Sequence, residues 1–188
     1  MSILIENLKE AIIGECNAKR KYELYAEKAK DEQLPEISHL FKAISSAEAI
    51  HIKNHIKALS ILTNNKVNPE EFVKLNEELL KTNVQDTKSN LRDAIKGETY
   101  ETKQMYKDFV KNAKKEENEV AELSFMLARK AEKVHSNLFN KFLKQLEKNQ
   151  KIDKQKIYVC QICGNVEFEE APLVCPLCDH SQKFYKEV

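Results

Sequence analysis

Residues 97–101 read GETYE, within the stretch NLRDAIKGETYETKQMYKDFV (residues 90–110). Glu98 and Glu101 are three positions apart, so a helix places both on one face. Leu91, Ala94, Ile95, Met105 and Phe109 recur around them at helical intervals. A helix that turns acids toward its apolar side must supply them with a partner, because an unpaired buried carboxylate protonates rather than stay charged. From this stretch alone, an exposed acidic turn on a charged helix is the other reading. The neighbouring segments decide between the two.

Working outward, the periodicity predicts four long helices. The first covers residues 3 to about 30, with Leu4, Leu8, Ala11, Glu15, Ala18, Tyr22 and Tyr25 on one stripe. Pro35 opens the second, over about 36–62, with Ile37, Leu40, Phe41, Ile44, Glu48, His51 and Leu59 near one face. The stretch NPEEFVKLNEELLK (residues 68–81) adds a turn opener and a short helical pattern. The third long helix spans about 87–114. The fourth spans about 117–145, with Val120, Leu123, Leu127, Ala131, Val134, Leu138 and Phe142 as its stripe. Two short turns and one long connection joining four helices describe a mainly α protein, a bundle with a crossover.

Acids recur on all four apolar faces. The first helix offers Glu15. The second offers Glu48 and His51, and the fourth Glu132 and His135, each pair at spacing three. Glu15 to Glu98 is 83 positions; Glu48 to Glu132 and Tyr22 to Tyr106 are each 84. The halves therefore read as two copies of one helix pair. A single Glu-x-x-His is a weak signal, whereas two at matching depth in a duplicated pair are a strong one. One Glu from each of two helices, with Glu-x-x-His from the other two, is the di-iron carboxylate pattern of a bundle core. Two divalent ions would offset most of the buried negative charge, which resolves the puzzle of GETYE. Oxygen-rich ligands with imidazoles suit iron or manganese. The hydroxyls of Tyr22 and Tyr106 are placed to hydrogen-bond the ligands, or to serve as ordinary core tyrosines.

The end of the chain differs in kind. After LEKNQKIDKQK (residues 146–156), which loses periodicity, YVCQICGNVEFEEAPLVCPLCDHSQKFYKEV (residues 158–188) is short, aromatic and cysteine-rich. Cys160, Cys163, Cys175 and Cys178 form paired Cys-x-x-Cys knuckles, a tetrahedral sulfur site for a single iron or a zinc. Such a metal also supplies folding energy to a segment too small for its own core. The division predicted is a bundle over 1–147, a linker over 148–156 and a small four-cysteine β domain over 157–188. Lys and Arg number 31 against 30 Asp and Glu, so no large field attracts nucleic acid or an anionic membrane. No run approaches the ~18 apolar residues of a membrane span. The opening MSILIENLKE lacks the features of a signal peptide, so a cytoplasmic protein is expected.

Together GECNAKRKYELYA (14–26), AEAIH (47–51), the GETYE stretch, AEKVH (131–135) and CQICG with APLVCPLC resemble the rubrerythrin family. That resemblance covers nearly the whole chain. It implies a ferritin-like di-iron bundle followed by a rubredoxin-like domain. It implies di-iron ligands at Glu15, Glu48, His51, Glu98, Glu101, Glu132 and His135, with Glu48 and Glu132 bridging, and one further iron on the four cysteines. It implies a peroxidase in oxidative stress defence, reducing hydrogen peroxide to water, with reduced pyridine nucleotide acting through a separate reductase and rubredoxin. One iron would exchange Glu101 for His51 on reduction. A head-to-tail homodimer would bring each tail beside the partner's bundle, since the fourth helix carries the tail away from its own di-iron site. A ferritin-like iron oxidase, a pure electron carrier and a zinc-stapled module are the rival functions. Cys16 stands where the family more often has a small non-sulfur residue and reads as a buried small hydrophobe. His55 follows His51 at the spacing of a zinc pair, but Glu48 and Glu132 already define the metal depth and leave it outside. His39 and His180 read as surface residues.

Overall fold

The computed structural model describes residues 2–188. Four long helical arms form the bundle. Helix α1 (Ile3–Asp31) starts where the Ser2 hydroxyl accepts from the Leu4 amide, and α2 (Pro35–Thr63) starts at a proline, which lacks the amide proton that a first turn leaves unused. The crossover carries a 3-10 turn at Pro69–Glu71 and a short helix α3 (Glu77–Thr82). The third arm is α4 (Thr87–Tyr100), a π turn (Glu101–Met105) and α5 (Tyr106–Lys115). The fourth is α6 (Glu119–Glu147), capped by the Asn118 side chain.

The π turn lies between Glu98 and Tyr106, where the offset between the two halves changes from 83 to 84. A π turn accommodates one extra residue in an α-helix. The third arm is therefore the first arm with one residue inserted, and the insertion falls at Glu101. The continuous helix expected over 87–114 is interrupted for this reason.

Two apolar clusters hold the arms together. One contains Tyr22, Ile44, Phe41, Leu91 and Phe139; the other Leu8, Ile12, Leu59, Phe109 and Phe125. On every arm the acids and histidines interrupt the apolar stripe between the residues of one cluster and those of the other. The expected stripe of α6 needs correction. Val120 and Leu123 are 41% and 52% exposed, whereas Ala131 and Phe142 are buried as expected, together with Ala121, Ser124, Phe125, Ala128, Glu132, His135, Phe139 and Leu143. Val120, Leu123 and Leu127 instead line a surface groove with Ile61 and Ile162.

The tail is a three-stranded antiparallel sheet of β1 (Ile157–Cys160), β2 (Val166–Phe168) and β3 (Tyr185–Glu187), in the order β2-β1-β3. It does not stand away from its own bundle. Ile157, Val159 and Val166 are buried in the same cluster as Phe41 and Phe142. The residues of α6 beyond His135 carry the chain roughly 18 Å outward. Residues 148–156 in extended form reach about 30 Å, which is enough to bring it back. Burial of those three side chains holds it there.

Candidate metal centres

The bundle brings six of the seven expected acids and histidines to one place. Glu15, Glu48, His51 and Glu132 each offer an atom within 4.8 Å of the others, and so do Glu48, Glu98, Glu132 and His135. Glu48 and Glu132 belong to both groups. All six residues are buried. Glu101 belongs to neither group; it is half-buried and lines a surface pocket with Gly14, Gly97 and Tyr22.

The orientation of these side chains fits a metal. His51 Nε2 lies 3.1 Å from the Cys163 carbonyl and His135 Nε2 lies 3.0 Å from the Gly164 carbonyl. A carbonyl only accepts, so each Nε2 carries the proton and each Nδ1 is a bare lone pair. Both Nδ1 atoms face the carboxylates, at 2.7 Å from Glu132 Oε1 for His51 and 2.8 Å from Glu132 Oε2 for His135. These approaches lack hydrogen-bond geometry. His51 Nδ1, His135 Nδ1, Glu15 Oε2, Glu98 Oε2 and both oxygens of Glu48 and Glu132 have no hydrogen-bond partner. A buried polar atom left so costs ~1–3 kcal/mol. Lone pairs converging from six side chains without protons between them are what bound cations satisfy.

The electrostatics agree. Burial, then the neighbouring carboxylates, push Glu15, Glu98 and Glu101 well above the ordinary glutamate range. Burial acts to lower His51 and His135, but the carboxylates around them win and raise both. Burial also works against the charge of Glu132, but the facing imidazoles hold it below the usual range. Cations at the centre would take over the role that protons otherwise play.

Two tyrosines support the carboxylates, each across the bundle. The Tyr22 hydroxyl donates to Glu98 Oε1 at 2.5 Å, and the Tyr106 hydroxyl donates to Glu15 Oε1. Each tyrosine thus serves the acid of the other arm. His55, which the sequence offered only as a zinc partner of His51, stands behind Tyr106 instead. It is fully buried, with Nε2 2.9 Å from the Tyr106 hydroxyl and Nδ1 2.7 Å from the Ser124 hydroxyl. Burial first, and then the proximity of His51, lower its pKa to about 3. Cys16 is half-buried beside the second apolar cluster and touches no ligand set. His180 is exposed; His39 is half-buried, with Nε2 2.7 Å from the Val188 carbonyl.

In the tail, Cys160 and Cys178 have sulfurs 3.7 Å apart and Cys163 and Cys175 have theirs 3.6 Å apart. Disulfide sulfurs lie at ~2.05 Å. Four thiolates at ~2.3 Å from a tetrahedral ion lie ~3.8 Å from one another. All four sulfurs fall within 4.8 Å. Hydrogen bonding from Cys163, against the effect of burial, lowers Cys160 to about 5, while the same bond raises Cys163 and burial raises Cys178, so without an ion one thiolate is shared among the sulfurs.

Comparison with known proteins gives the same picture. The family model described as Rubrerythrin matches residues 6–143, and that described as Rubrerythrin, rubredoxin-like domain matches residues 158–186. The chain is 35% identical to Rubrerythrin-2 of Clostridium acetobutylicum over 91% of its own length and 89% of that protein's. It is 31% identical to Nigerythrin of Nitratidesulfovibrio vulgaris over 93% of its length and 81% of that protein's. The solved structure of nigerythrin in its fully reduced, all-ferrous state superposes with a TM-score of 0.86 at 28% identity, covering 100% of this chain and 88% of that one. Family, fold and donor geometry converge: the chain belongs to the rubrerythrin family, with a di-iron carboxylate site in its bundle and a rubredoxin-like four-cysteine iron site in its tail.

Proposed function

We propose that this protein is a non-haem di-iron peroxidase that reduces hydrogen peroxide to water. The observation that carries this reading is the contact between the two centres. The knuckle carbonyls of Cys163 and Gly164 accept hydrogen bonds from the imidazoles of His51 and His135, whose other nitrogens face the carboxylate cluster. An iron store has no need of a redox site seated on its ligands, and a pure electron carrier has no need of the carboxylates.

In this reading Glu15, Glu48, His51, Glu98, Glu101, Glu132 and His135 would hold two irons, with Glu48 and Glu132 serving both because each belongs to both converging groups. Cys160, Cys163, Cys175 and Cys178 hold the third. Irons held in the bundle would supply the two electrons that peroxide reduction needs, and an iron on the four cysteines would supply their replacement. The chain's own residues fix the geometry. Tyr22 and Tyr106 orient Glu98 and Glu15. The knuckle carbonyls set the histidine tautomers. Glu101, standing beside the cluster, would take the place of His51 in an oxidised site, since a harder ferric ion favours carboxylate. A rubredoxin-type donor meets the tail at Leu173 and Val174, which are 79% and 54% exposed. The division into bundle (1–147), linker (148–156) and tail (157–188) is part of the same proposal, as are cytoplasmic location and a homodimer. Among the described residues, no helix is long and apolar enough to cross a membrane.

The test is metal analysis, a visible spectrum and stopped-flow oxidation of protein purified without oxygen. Three irons per chain and rapid oxidation of the reduced protein by hydrogen peroxide are expected. Iron that accumulates beyond this number under air, with peroxide no faster than oxygen, would instead establish an iron-storing oxidase.

A further inference from the structure

The two tyrosines of the duplicated bundle differ in what lies behind them. Behind Tyr22 stand Phe41 and Phe139, with ring centres 6.0 and 5.2 Å away. Neither ring carries a group that can pass a proton. Behind Tyr106 stands His55, which occupies in its own half the position that Phe139 occupies in the other, 84 residues on. His55 leads in turn to Ser124, whose counterpart 84 residues earlier is Leu40. Ser124 is 7% exposed and lines an open groove of about 480 Å³, together with Lys57, Ile61, Leu123 and Ile162. One half thus carries a polar path from the surface to the centre, and the other half replaces it with phenylalanine and leucine.

The donors along this path can be ordered. Glu15 is the acceptor of the Tyr106 hydroxyl proton. The Tyr106 oxygen therefore accepts from His55, which places a proton on Nε2. A neutral His55 then has a bare Nδ1, which accepts from the Ser124 hydroxyl. All three donors point from the groove toward Glu15.

We propose that Ser124, His55 and Tyr106 form a proton relay from water in the groove to Glu15, present on one side of the site only. In one passage Glu15 takes the Tyr106 proton, Tyr106 takes the Nε2 proton, His55 takes the Ser124 proton at Nδ1, and Ser124 takes one from water. One proton enters, hydroxide remains in the groove, and no electron moves. Rotation of the hydroxyls and return of the imidazole tautomer reset the path. The value of such a relay rests on the peroxidase reading, in which each peroxide reduced to two waters consumes two protons.

Two measurements test it. Neutron diffraction from deuterium-exchanged, iron-loaded protein should place deuterium on Nε2 of His55 and none on Nδ1. Deuterium on Nδ1 would reverse the first bond and overturn the relay, whatever the substrate. In stopped flow, His55→Gln and His55→Phe should each slow oxidation of the reduced protein by hydrogen peroxide about a hundredfold, with iron content unchanged. A glutamine amide can keep both hydrogen bonds but cannot pass a proton readily, so it separates conduction from positioning. His55→Gln reacting at the parent rate would show that His55 only holds Tyr106 in place. A parent protein not oxidised by peroxide would refute the peroxidase reading, leaving the neutron result to decide the path.

Discussion

Gly164 has a φ of +77°, and a Cβ there would stand 2.5 Å from His51 Nε2 and 3.2 Å from the Ala47 carbonyl. Any side chain meets both a backbone penalty and a collision with an imidazole that is itself fixed. Gly164→Ala should therefore lower stability by about 1–3 kcal/mol, read by thermal unfolding. It should also slow re-reduction of the bundle irons by the tail, read by rapid-mixing spectroscopy, because the tail must lift from the histidines. Residues at this scale were unequally legible. Glu48, His51, Glu132 and His135 stood out because a short spacing repeats at a long interval. His55 drew notice only by its spacing from His51, because its true partners Tyr106 and Ser124 lie 51 and 69 residues away and no pattern in the chain pairs them.

At the scale of elements, the π turn is the point where the two halves cease to match. Deleting Lys103, an exposed residue of that turn, should restore a plain helix in which acid and tyrosine are seven apart, as Glu15 and Tyr22 are. The Tyr106–Glu15 bond should survive while Glu101 leaves its place beside the cluster. The expected result is a folded protein with its iron retained and peroxide turnover slowed to the level of Glu101→Ala; turnover equal to the parent's would refute the role given to Glu101. The junction of α1 with α4 makes a second prediction. Glu32 Oε2 accepts from the Thr87 amide at 3.0 Å, at the start of α4. Burial works to raise its pKa, but this bond and Lys28 bring it below the ordinary value of 4.5. A depressed folded-state pKa contributes stability at higher pH and loses it as pH falls through that pKa. Glu32→Gln should thus cost under about 1 kcal/mol at neutral pH, and denaturant titrations should show the difference closing as pH falls below about 4.5. Sequence periodicity located every long arm. It misassigned the face of α6 over its first turns, though not at Ala131 and Phe142, because Val120, Leu123 and Leu127 form an apolar series one position from the buried Ala121 and Ala128. Two stripes compete there, and packing against Leu8, Ile12, Leu59 and Phe109 in the bundle chooses between them.

For the whole molecule, the fold-back of the tail reverses an expectation. Distance along α6 argued for electron transfer between subunits, but a linker without pattern hides the direction it takes. With the knuckle seated on its own bundle, the test is a mixed dimer. One chain carries Cys175→Ser and Cys178→Ser; the other carries Glu98→Ala and Glu132→Ala. Isolated, metal-analysed mixed dimers should regain no donor-dependent peroxide reduction, because each intact tail sits on a damaged bundle. Recovery would mean that tails are exchanged between chains. The hydrogen bonds from His51 and His135 to the knuckle carry a further consequence. They make the assembly of the two cofactors cooperative. A tail ordered around its ion presents two carbonyls that hold both imidazoles in the ligating tautomer, so it strengthens the bundle's grip on iron. By reciprocity the loaded bundle must strengthen the tail's grip by the same factor. The protein should pass from empty to complete with few half-filled molecules between, and a chain stripped of its tail ion should release bundle iron to a chelator faster than the intact one.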